Sequence, residues 1–427
     1  MSAWRKLYID FYVLLYALYA YFNKGIAYSY LAETLLVIGV VILLKDIRKI
    51  EIVWDKSMKL LVLFLAVTLL FIARGLGKYP FMEIIRDSFM LNYAVFALIL
   101  LLFKDNINYF KEGLFRVYKW FPLVAVCSFL SLSYIPFFQE FRVFGNFHLL
   151  LYKFGDMGVH LLIATLFMLN GYIKMSKRQT IVNTVLIIYL FLVIAAYSRS
   201  GMLAYVLGVG LFFLYTKNAQ LKAFMLQYLR FLPLLLIVAV ALYASTRLEE
   251  NFQGRKVGLS QLQENVVSIF SSDGEGTLND NKVWRLAWWG KIIQDSFSGS
   301  NFFVGRGLGM SMAAVDDIEQ DEDGLRSPHN FHLNIMARYG VPFFLLWMYW
   351  MYLIVIRIRQ KNISQYSFTL VTILFVFIVN ASFDVYLEGP MGAFPFWTFI
   401  GLFYIDQMDT NQTDSNQIQQ AHSNTLI

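Results

Sequence analysis

Apolar runs of about 16 to 20 residues recur along the whole chain, and this feature limits the possible folds more than any other. A helix of that length spans the roughly 30 Å of hydrocarbon in a bilayer, the shortest runs only marginally. The runs lie near residues 7–22, 26–44, 58–73, 88–103, 118–135, 156–173, 180–197, 201–216, 228–245, 341–357, 365–382 and 392–406. The sequence therefore predicts an all-α, polytopic membrane helix bundle with about 12 transmembrane helices.

Composition excludes the alternatives to a membrane protein. Hydrophobic residues make up 58% of the 427 positions and charged residues 15%, against roughly 45–50% and about 25% in soluble proteins. A water-soluble protein of this length has a larger share of polar residues on its surface, and a disordered chain contains fewer hydrophobic residues than this one. The single cysteine, Cys127, excludes an intramolecular disulfide and a multi-cysteine metal site. Its apolar neighbours predict a small buried hydrophobe.

The distribution of lysine and arginine predicts the orientation in the membrane. The net charge is +7, but cytoplasmic loops are marked by local excesses of cations. With a cytoplasmic N-terminus, the inner loops carry Lys45, Arg48, Lys49, Lys56, Lys104, Lys111, Arg116, Lys119, Lys174, Lys177, Arg178, Lys217, Lys222, Arg230, Arg357, Arg359 and Lys361. An even number of spans then returns the C-terminus to the cytoplasm, so both termini are predicted to be cytoplasmic.

Four regions follow from this topology. Residues 1–245 form transmembrane helices 1 to 9, and 246–329 form one large extracytoplasmic loop that contains short helices. Residues 330–406 form helices 10 to 12, and the polar segment 407–427 is expected to be a disordered cytoplasmic tail. Within the loop, residues 279–296 have a helical pattern with three tryptophans. That helix either lies flat at the membrane interface or packs onto the bundle.

One charged residue stands at the edge of the hydrocarbon region. Arg199 lies in the sequence AYSRSGM, a turn of a few residues between two apolar runs on the predicted outer side. A turn needs no arginine, because asparagine, serine or glycine would serve. Arg199 is therefore either an interfacial anchor or a fixed guanidinium that binds an anion, most plausibly phosphate.

A glycine run closes the large loop. Gly305, Gly307 and Gly309 occur in NFFVGRGLGMSM, where they indicate either a plain turn or backbone N–H groups that surround an anion. An acidic stretch follows, and its spacing fits no calcium loop, so a solvated surface is predicted. That stretch comprises Asp316, Asp317, Glu319, Asp321, Glu322 and Asp323.

Two histidines follow Pro328 at the end of the loop. His329 begins the helix that leads into the tenth span, and a histidine titrates near neutral pH and accepts a proton from a hydroxyl. A structural, hydrogen-bonded role is the alternative. His332 is three residues further on, but a third ligand for zinc is missing from the sequence pattern. His160, inside an apolar span, is expected to be a packed and satisfied core residue.

The order of these motifs resembles the O-antigen ligase and O-antigen polymerase superfamily. The resemblance rests on the short outer SRSG turn, the R-x-x-x-W element from Arg285 to Trp289, the G-x-G-x-G run, and an H-N-x-x-L-x-x-x-x-x-x-G ending. This last element is formed by His329, Asn330, Leu333 and Gly340. The resemblance covers roughly residues 180 to 360, whereas the first half of the chain agrees only in having spans of suitable length.

The resemblance implies a membrane glycosyltransferase. Such enzymes take a glycan from a polyprenyl (undecaprenyl) diphosphate carrier and transfer it to a lipid A core sugar or to another repeat unit, in surface polysaccharide and lipopolysaccharide biosynthesis. It further implies that Arg199 and Arg285 engage the donor diphosphate and that His329 acts at the acceptor hydroxyl. No metal or other cofactor is implied. The expected location is the bacterial inner membrane, with the site on the periplasmic side.

The chemistry of such a transfer selects the same residues. Breaking a sugar–diphosphate bond builds negative charge on the leaving group, which fixed guanidinium groups stabilise without a metal. Direct displacement would invert the anomeric centre. Arg142, Arg86 and Arg306 are further candidate cations on the same side, and Asn330, His332, Gly305 and Gly307 are candidate acceptor or loop residues.

Two other functions stay open. A polymerase that joins O-antigen or exopolysaccharide repeat units shares these motifs with a ligase, and nothing in the first half of the chain selects a lipid A core acceptor. A transporter or flippase for lipid-linked glycans would also need arginines for the diphosphate. Transporters usually place their binding groups near the middle of the bilayer, whereas the residues here cluster on one side. No nucleic-acid partner is expected.

Overall fold

The computed structural model describes residues 2–22, 29–50, 52–142, 153–219, 221–222, 232–245, 277–318, 326–360 and 363–425. Within these ranges the regular elements are helices, as the sequence predicts. The first half contains α1 (Ala3–Phe22), α2 (Leu31–Asp46), α3 (Lys56–Gly75), α4 (Phe81–Asn92), α5 (Val95–Leu102), α6 (Ile107–Tyr134), α7 (Pro136–Glu140), α8 (Phe154–Leu169), α9 (Lys177–Tyr197) and α10 (Arg199–Tyr215).

The second half continues the helical architecture. It contains α11 (Leu232–Ser245), α12 (Thr277–Ser296), α13 (Asn301–Val304), α14 (Met312–Val315), α15 (Phe331–Tyr339), α16 (Val341–Val355), α17 (Gln365–Ala381) and α18 (Pro390–Thr425). Short 3-10 turns occupy Ile47–Lys49, Lys104–Asn106, Ile356–Arg359 and Tyr386–Glu388.

Several helices have the length and hydropathy of a membrane span. Among the described residues, 4 helical segments meet both criteria: Lys56–Gly75, Lys104–Tyr134, Lys177–Tyr197 and Val341–Arg359. The pair α4 and α5, bent by 49°, is a fifth if it counts as one span, and α8, α10 and α17 are shorter apolar helices. The chain is therefore a membrane protein, and the full count of about 12 spans stays a prediction.

Aromatic side chains build the core between the first and the last helix. Tyr12 of α1 packs against Phe394 of α18 with ring centroids 4.7 Å apart, and its hydroxyl shares a hydrogen bond of 2.8 Å with Thr398. His160 of α8 is fully buried between the hydroxyls of Tyr118 and Tyr386, at 2.9 and 3.3 Å. Both ring nitrogens thus have partners, which confirms the prediction of a satisfied core histidine.

Glycines bring α8 and α10 into backbone contact. A Cβ added at Gly158 would lie 2.9 Å from the carbonyl oxygen of Gly201, and one added at Gly201 would lie 2.9 Å from the Cα of Gly155. Small residues at a helix crossing let backbones approach this closely in membrane proteins. The approach fixes the start of α10, and with it the SRSG turn, against the first turn of α8.

The large loop packs onto the bundle through α12. The helix covers the predicted stretch, and Trp288 and Ile292 are buried in a small apolar cluster with Met336 and Ala337 of α15. This packing favours the second of the two predicted placements for the tryptophan-rich helix, against the bundle. Residues 246–276 of the predicted loop lie outside the described residues.

Two expectations about the rest of the chain differ from the structure. Cys127 is exposed on α6 instead of buried, because an apolar residue on a membrane helix also suits the outer face of the bundle. The segment from residue 407, expected to be disordered, continues α18 as a helix to Thr425. The expectation of disorder rested on the polar composition of this segment, but polar residues do not by themselves prevent a helix.

Candidate functional site

The SRSG turn forms a tight link between α9 and α10. Ser198 is the only residue between the two helices, and its Oγ caps α10 by accepting a hydrogen bond of 3.1 Å from the N–H of Gly201. The hydroxyls of Ser198 and Ser200 lie 3.0 Å apart. Arg199 is the first residue of α10 and is partly exposed. The positive end of a helix dipole lies at the same place as the guanidinium-bearing residue, which makes this turn electropositive.

The R-x-x-x-W element connects α12 to two other segments. Arg285 Nη1 donates to the backbone oxygen of Phe383 at 3.4 Å, and its guanidinium lies 5.6 Å from the ring centroid of Trp284. Trp289 Nε1 donates to the backbone oxygen of Pro328 at 2.6 Å. A spacing of four residues places both side chains on one helix face. Through these two hydrogen bonds the motif connects Phe383, in the segment after α17, with Pro328, the residue before His329.

His329 has a backbone conformation that is uncommon for a residue other than glycine. Its φ is 52°, in the left-handed region. Its ring meets that of Trp284 edge to face, with centroids 6.4 Å apart. Asn330 follows as the N-cap of α15, and its Oδ1 accepts a hydrogen bond of 3.1 Å from the N–H of Leu333. Asn330 thus has a structural role that fixes where His329 stands.

Asp384 lies where these elements meet. It forms an ion pair with Lys153, the residue that precedes α8. A Cβ added at Gly155 would lie 3.3 Å from Asp384 Oδ2, and 3.2 and 3.4 Å from the hydroxyls of Ser198 and Ser200. The carboxylate therefore borders the SRSG turn, and it follows directly on the residue that Arg285 contacts.

The charges around Asp384 act on one another. Burial alone would raise the pKa of the Asp384 carboxyl, but the Lys153 ammonium beside it and the charge of His329 hold that pKa below its ordinary value. Burial likewise opposes protonation of Lys153, and Asp384 outweighs it, so the pKa of Lys153 is raised. The segment Phe383–Asp384 thus groups the Arg199 turn, Arg285, Lys153 and His329.

A cavity of about 750 Å³ opens beside this group. Lys153, Trp284 and His329 line one part of it, and residues of α4 together with Tyr30 and Glu33 line another. Arg199 and Arg285 are not among the described residues that line the cavity. The volume lies within the range of natural ligand pockets, roughly 300–1,000 Å³.

A network of ion pairs crosses the cavity wall. Arg338 Nη1 contacts Asp87 Oδ2 at 2.6 Å, and Arg326 contacts Glu83 and Asp87 at 2.7 and 3.3 Å. Arg86, a candidate cation in the sequence, pairs with Glu83 at 2.5 Å. These bonds tie α4 to the end of the large loop and to α15, and hold the wall in place.

Glu388 lies on the wall four residues after Asp384. Burial raises the pKa of its carboxyl to about 7, although Ser327 and the charges of Arg338 and Lys153 act in the opposite direction. Its Oε1 is buried and accepts no hydrogen bond from any described residue. A carboxyl with a pKa near neutrality can hold or release a proton at ordinary pH.

Arg306 and the glycine run have structural roles that differ from the prediction. Arg306 donates to Asp295 at 2.8 Å and to both oxygens of Asp316 at 2.9 and 3.0 Å, and its side chain is only 7% exposed. Asp316, predicted to be solvated, is buried because it neutralises this guanidinium and accepts from Trp288. Arg306 therefore secures the large loop, and the prediction that it binds the donor diphosphate has no support from its geometry.

Gly305 and Gly307 pack the loop against α15. Both have positive φ, and a Cβ at Gly305 would lie 2.4 Å from the backbone oxygen of Arg338. The N–H of Gly307 donates to that same oxygen at 3.0 Å, and the N–H of Gly305 donates to Asn301 at 3.0 Å. The amide groups expected to bind a ligand are thus already paired within the protein.

His332 and Arg142 are not among the residues that line the cavity. His332 is buried; its Nδ1 accepts from Trp347 Nε1 at 3.3 Å, so its Nε2 donates to the backbone oxygen of Ile378 at 3.1 Å. Both nitrogens are used, so His332 holds α15 against α17, and its role at the acceptor site stays a prediction. Arg142 is exposed and does not line the cavity.

Four functional candidates were not found by sequence reasoning. They are Lys153, Asp384, Glu388 and Arg338. Each is a charged residue at the end of an apolar run or in a short connection, a position that is costly for a charge in a membrane protein. Within the described ranges, no three His, Cys, Asp or Glu side chains are grouped as metal ligands would be.

Comparison with known proteins gives one family. No curated protein matches the chain. The family model described as O-antigen ligase matches residues 184–348, which include the SRSG turn, α12, the glycine run and His329. This match supports a glycosyltransferase-like function in a membrane, in O-antigen biosynthesis. It also confirms the resemblance seen in the motifs, over residues 184–348 of the chain.

Proposed function

We propose that the protein transfers a glycan from a polyprenyl diphosphate carrier to an acceptor hydroxyl, at the outer face of the bacterial inner membrane. One observation carries this proposal: the segment Phe383–Asp384 groups the Arg199 turn, Arg285 and Lys153 beside His329. In this proposal both chain termini are cytoplasmic. The acceptor is a lipid A core sugar in a ligase, or another repeat unit in a polymerase.

The grouped cations suit the leaving group of such a transfer. When the bond between the anomeric carbon and the phosphate oxygen breaks, its electron pair remains on the diphosphate, where negative charge increases. Arg199 and Arg285 carry planar guanidinium groups that can each donate two hydrogen bonds to phosphate oxygens. We assign both to the donor diphosphate, while Lys153, paired with Asp384, holds the start of α8 against the Phe383–Asp384 segment.

His329 suits the other half of the reaction. The acceptor oxygen attacks the anomeric carbon, and its proton must leave as the new carbon–oxygen bond forms. His329 lines the cavity next to the grouped cations, so an acceptor in the cavity brings a hydroxyl to the imidazole. We assign His329 as the group that orients this hydroxyl or takes its proton. A direct displacement of this kind inverts the anomeric configuration.

A transfer reaction with purified protein tests the proposal. The full chain in detergent is mixed with a polyprenyl-diphosphate-linked glycan and a glycan acceptor, and the product is analysed by mass spectrometry. The proposal predicts an acceptor lengthened by the donor glycan, with an inverted linkage and with EDTA present. A detergent solution has no compartments, so a transporter gives no product, and that result would refute the enzymatic function.

A further inference from the structure

The cavity offers hydrogen-bond acceptors, and the lysine and arginine side chains that line it among the described residues are each paired with a carboxylate. Each of these side chains forms an ion pair with Asp384, Glu83 or Asp87; they are Lys153, Arg86, Arg326 and Arg338. A phosphate or carboxylate that entered the cavity would have to displace one of these carboxylates. Mutually paired charges therefore make the cavity unfavourable for an anionic ligand.

Two carboxylate oxygens on the wall have spare capacity. Glu33 accepts a hydrogen bond of 2.5 Å from Tyr93 through Oε1, while its Oε2 is buried and has no partner among the described residues. Glu388 Oε1 is also buried and has no hydrogen-bond partner among the described residues. Buried carboxylate oxygens normally accept hydrogen bonds, so each is suited to a ligand that supplies donors.

The rest of the wall adds apolar surface. Met82 and Phe89 of α4 line the cavity together with Tyr30. Apolar surface beside carboxylates is the combination that sugar rings require, because a ring presents hydroxyls at its edge and C–H groups on its faces. Neutral oligosaccharides carry hydroxyl donors and no net charge, and thus match the unpaired carboxylate oxygens and the apolar surface of this wall.

We propose that this cavity is the acceptor site and that it binds a neutral glycan, whose hydroxyls donate hydrogen bonds to Glu33 and Glu388. This inference rests on the proposed function, since it assigns the acceptor of that reaction. The donor diphosphate, in contrast, lies on the side of Arg199 and Arg285, which do not line the cavity. One end of the acceptor then reaches His329, and the remainder extends toward α4.

Acceptor binding without a donor tests this inference directly. Neutral oligosaccharides prepared from the surface glycan of the strain that carries this chain are labelled, and their affinity for the full chain in detergent is measured by fluorescence anisotropy. At pH 8, above the pKa of Glu388, Glu388→Gln and Glu33→Gln should each weaken binding about tenfold, because a neutral amide oxygen accepts a hydrogen bond less strongly than a carboxylate does. Glu112→Gln, exposed on α6 and outside the cavity, is the control and should bind as the wild type does.

A steric variant provides a second readout. Met82→Trp should fill part of the cavity and raise the KM for the acceptor several-fold at unchanged KM for the donor. Phe81→Trp, a neighbouring exposed position that does not line the cavity, should leave both constants unchanged. Thermal unfolding of each variant shows whether it is folded. Equal acceptor KM values in folded Met82→Trp and wild-type protein would overturn the inference.

The acceptor class has its own test. The same oligosaccharide carrying an added phosphate should bind at least about tenfold more weakly than the neutral one. Preferred binding of the phosphorylated form would overturn the inference while leaving the transfer reaction intact. Conversely, normal binding of the neutral glycan without any transfer would refute the proposed function and retain the site.

Discussion

Lys153 and Asp384 form an ion pair across 231 residues of sequence, and this pair joins the start of α8 to the connection after α17. The carboxylate also borders the hydroxyls of the SRSG turn. Neither segment has a regular structure that would hold it in place alone. The pair therefore keeps together the elements from which the candidate site is built.

Removing one member of this pair should cost more than removing both. Lys153→Met leaves the Asp384 carboxylate without its counter-ion and should lower stability by about 1–3 kcal/mol, less than the 3–5 kcal/mol of a fully buried pair. The double variant Lys153→Met with Asp384→Asn should recover part of that loss. Thermal unfolding in detergent measures both. Equal loss in the single and the double variant would show that the pair contributes nothing to the fold.

His329 should be needed for turnover and dispensable for folding. Asparagine tolerates the left-handed backbone conformation found at this position, so His329→Asn should leave the unfolding temperature nearly unchanged. Its kcat should fall about 100-fold or more, with donor affinity retained. His422→Asn, in the C-terminal segment, is the control. Wild-type kcat in His329→Asn at saturating acceptor would exclude the assigned role.

Arg306 should matter for stability rather than for donor binding. Arg306→Ala leaves the buried Asp316 with only Lys291, 3.9 Å away, as a counter-ion and should destabilise the loop by about 2–4 kcal/mol. Arg306→Ala combined with Asp316→Ala removes both charges and should restore much of the stability together with transfer activity. Transfer that stays lost in a stable double variant would instead support the diphosphate role suggested by the sequence.

The sequence located the parts of the site that depend on local spacing. The turn from Ser198 to Gly201 could be recognised because a charged residue interrupts two apolar runs. The four-residue spacing of Arg285 and Trp289 places both side chains on one helix face. His329 follows from its place after Pro328 at the start of a helix. These features involve neighbours in the chain, so a single sequence contains them.

Other features depend on contacts between distant segments. A lone Lys153 before an apolar run gives no sign of Asp384, because only the folded chain brings them together. The sequence pattern of Gly305 and Gly307 is the same whether their amides bind an anion or pack against α15. In the structure the Gly307 N–H donates to the backbone oxygen of Arg338 in α15, a contact that the sequence does not reveal. A charged residue beside an apolar run is energetically costly in a membrane protein, and this cost could have marked Lys153 and Asp384 as functional candidates.

The carboxyl of Glu388 should make stability depend on pH. Its pKa in the folded protein, about 7, is above the ordinary value of 4.5, so the folded state binds its proton more strongly than the unfolded state. The contribution is complete below pH 4.5 and is lost as the pH rises to about 7. The charges that act on it are those of Arg338, Asp87 and Lys153. Other titratable or charged groups on the same cavity wall are Glu33, Glu83, Arg86, Arg326 and His329.

Glu388→Gln should therefore remove part of this dependence. Between pH 4.5 and pH 7.5 the unfolding temperature of the variant should fall less than that of the wild type. Differential scanning fluorimetry in detergent measures both. Glu112→Gln, on the exposed side of α6, should behave as the wild type does. Identical pH profiles for Glu388→Gln and the wild type would contradict the raised pKa.

The most direct test of a cationic diphosphate site is the transfer rate of arginine variants in purified form. Arg199→Ala and Arg285→Ala should each lower the rate about 100-fold or more while inserting and unfolding normally, as expected when a donor to developing negative charge is removed. Arg199→Lys should recover only part of the rate, because lysine lacks the two-pronged geometry of the guanidinium group. Arg359→Ala, an exposed position away from the site, should be unaffected. Wild-type transfer by Arg199→Ala or Arg285→Ala would contradict the account.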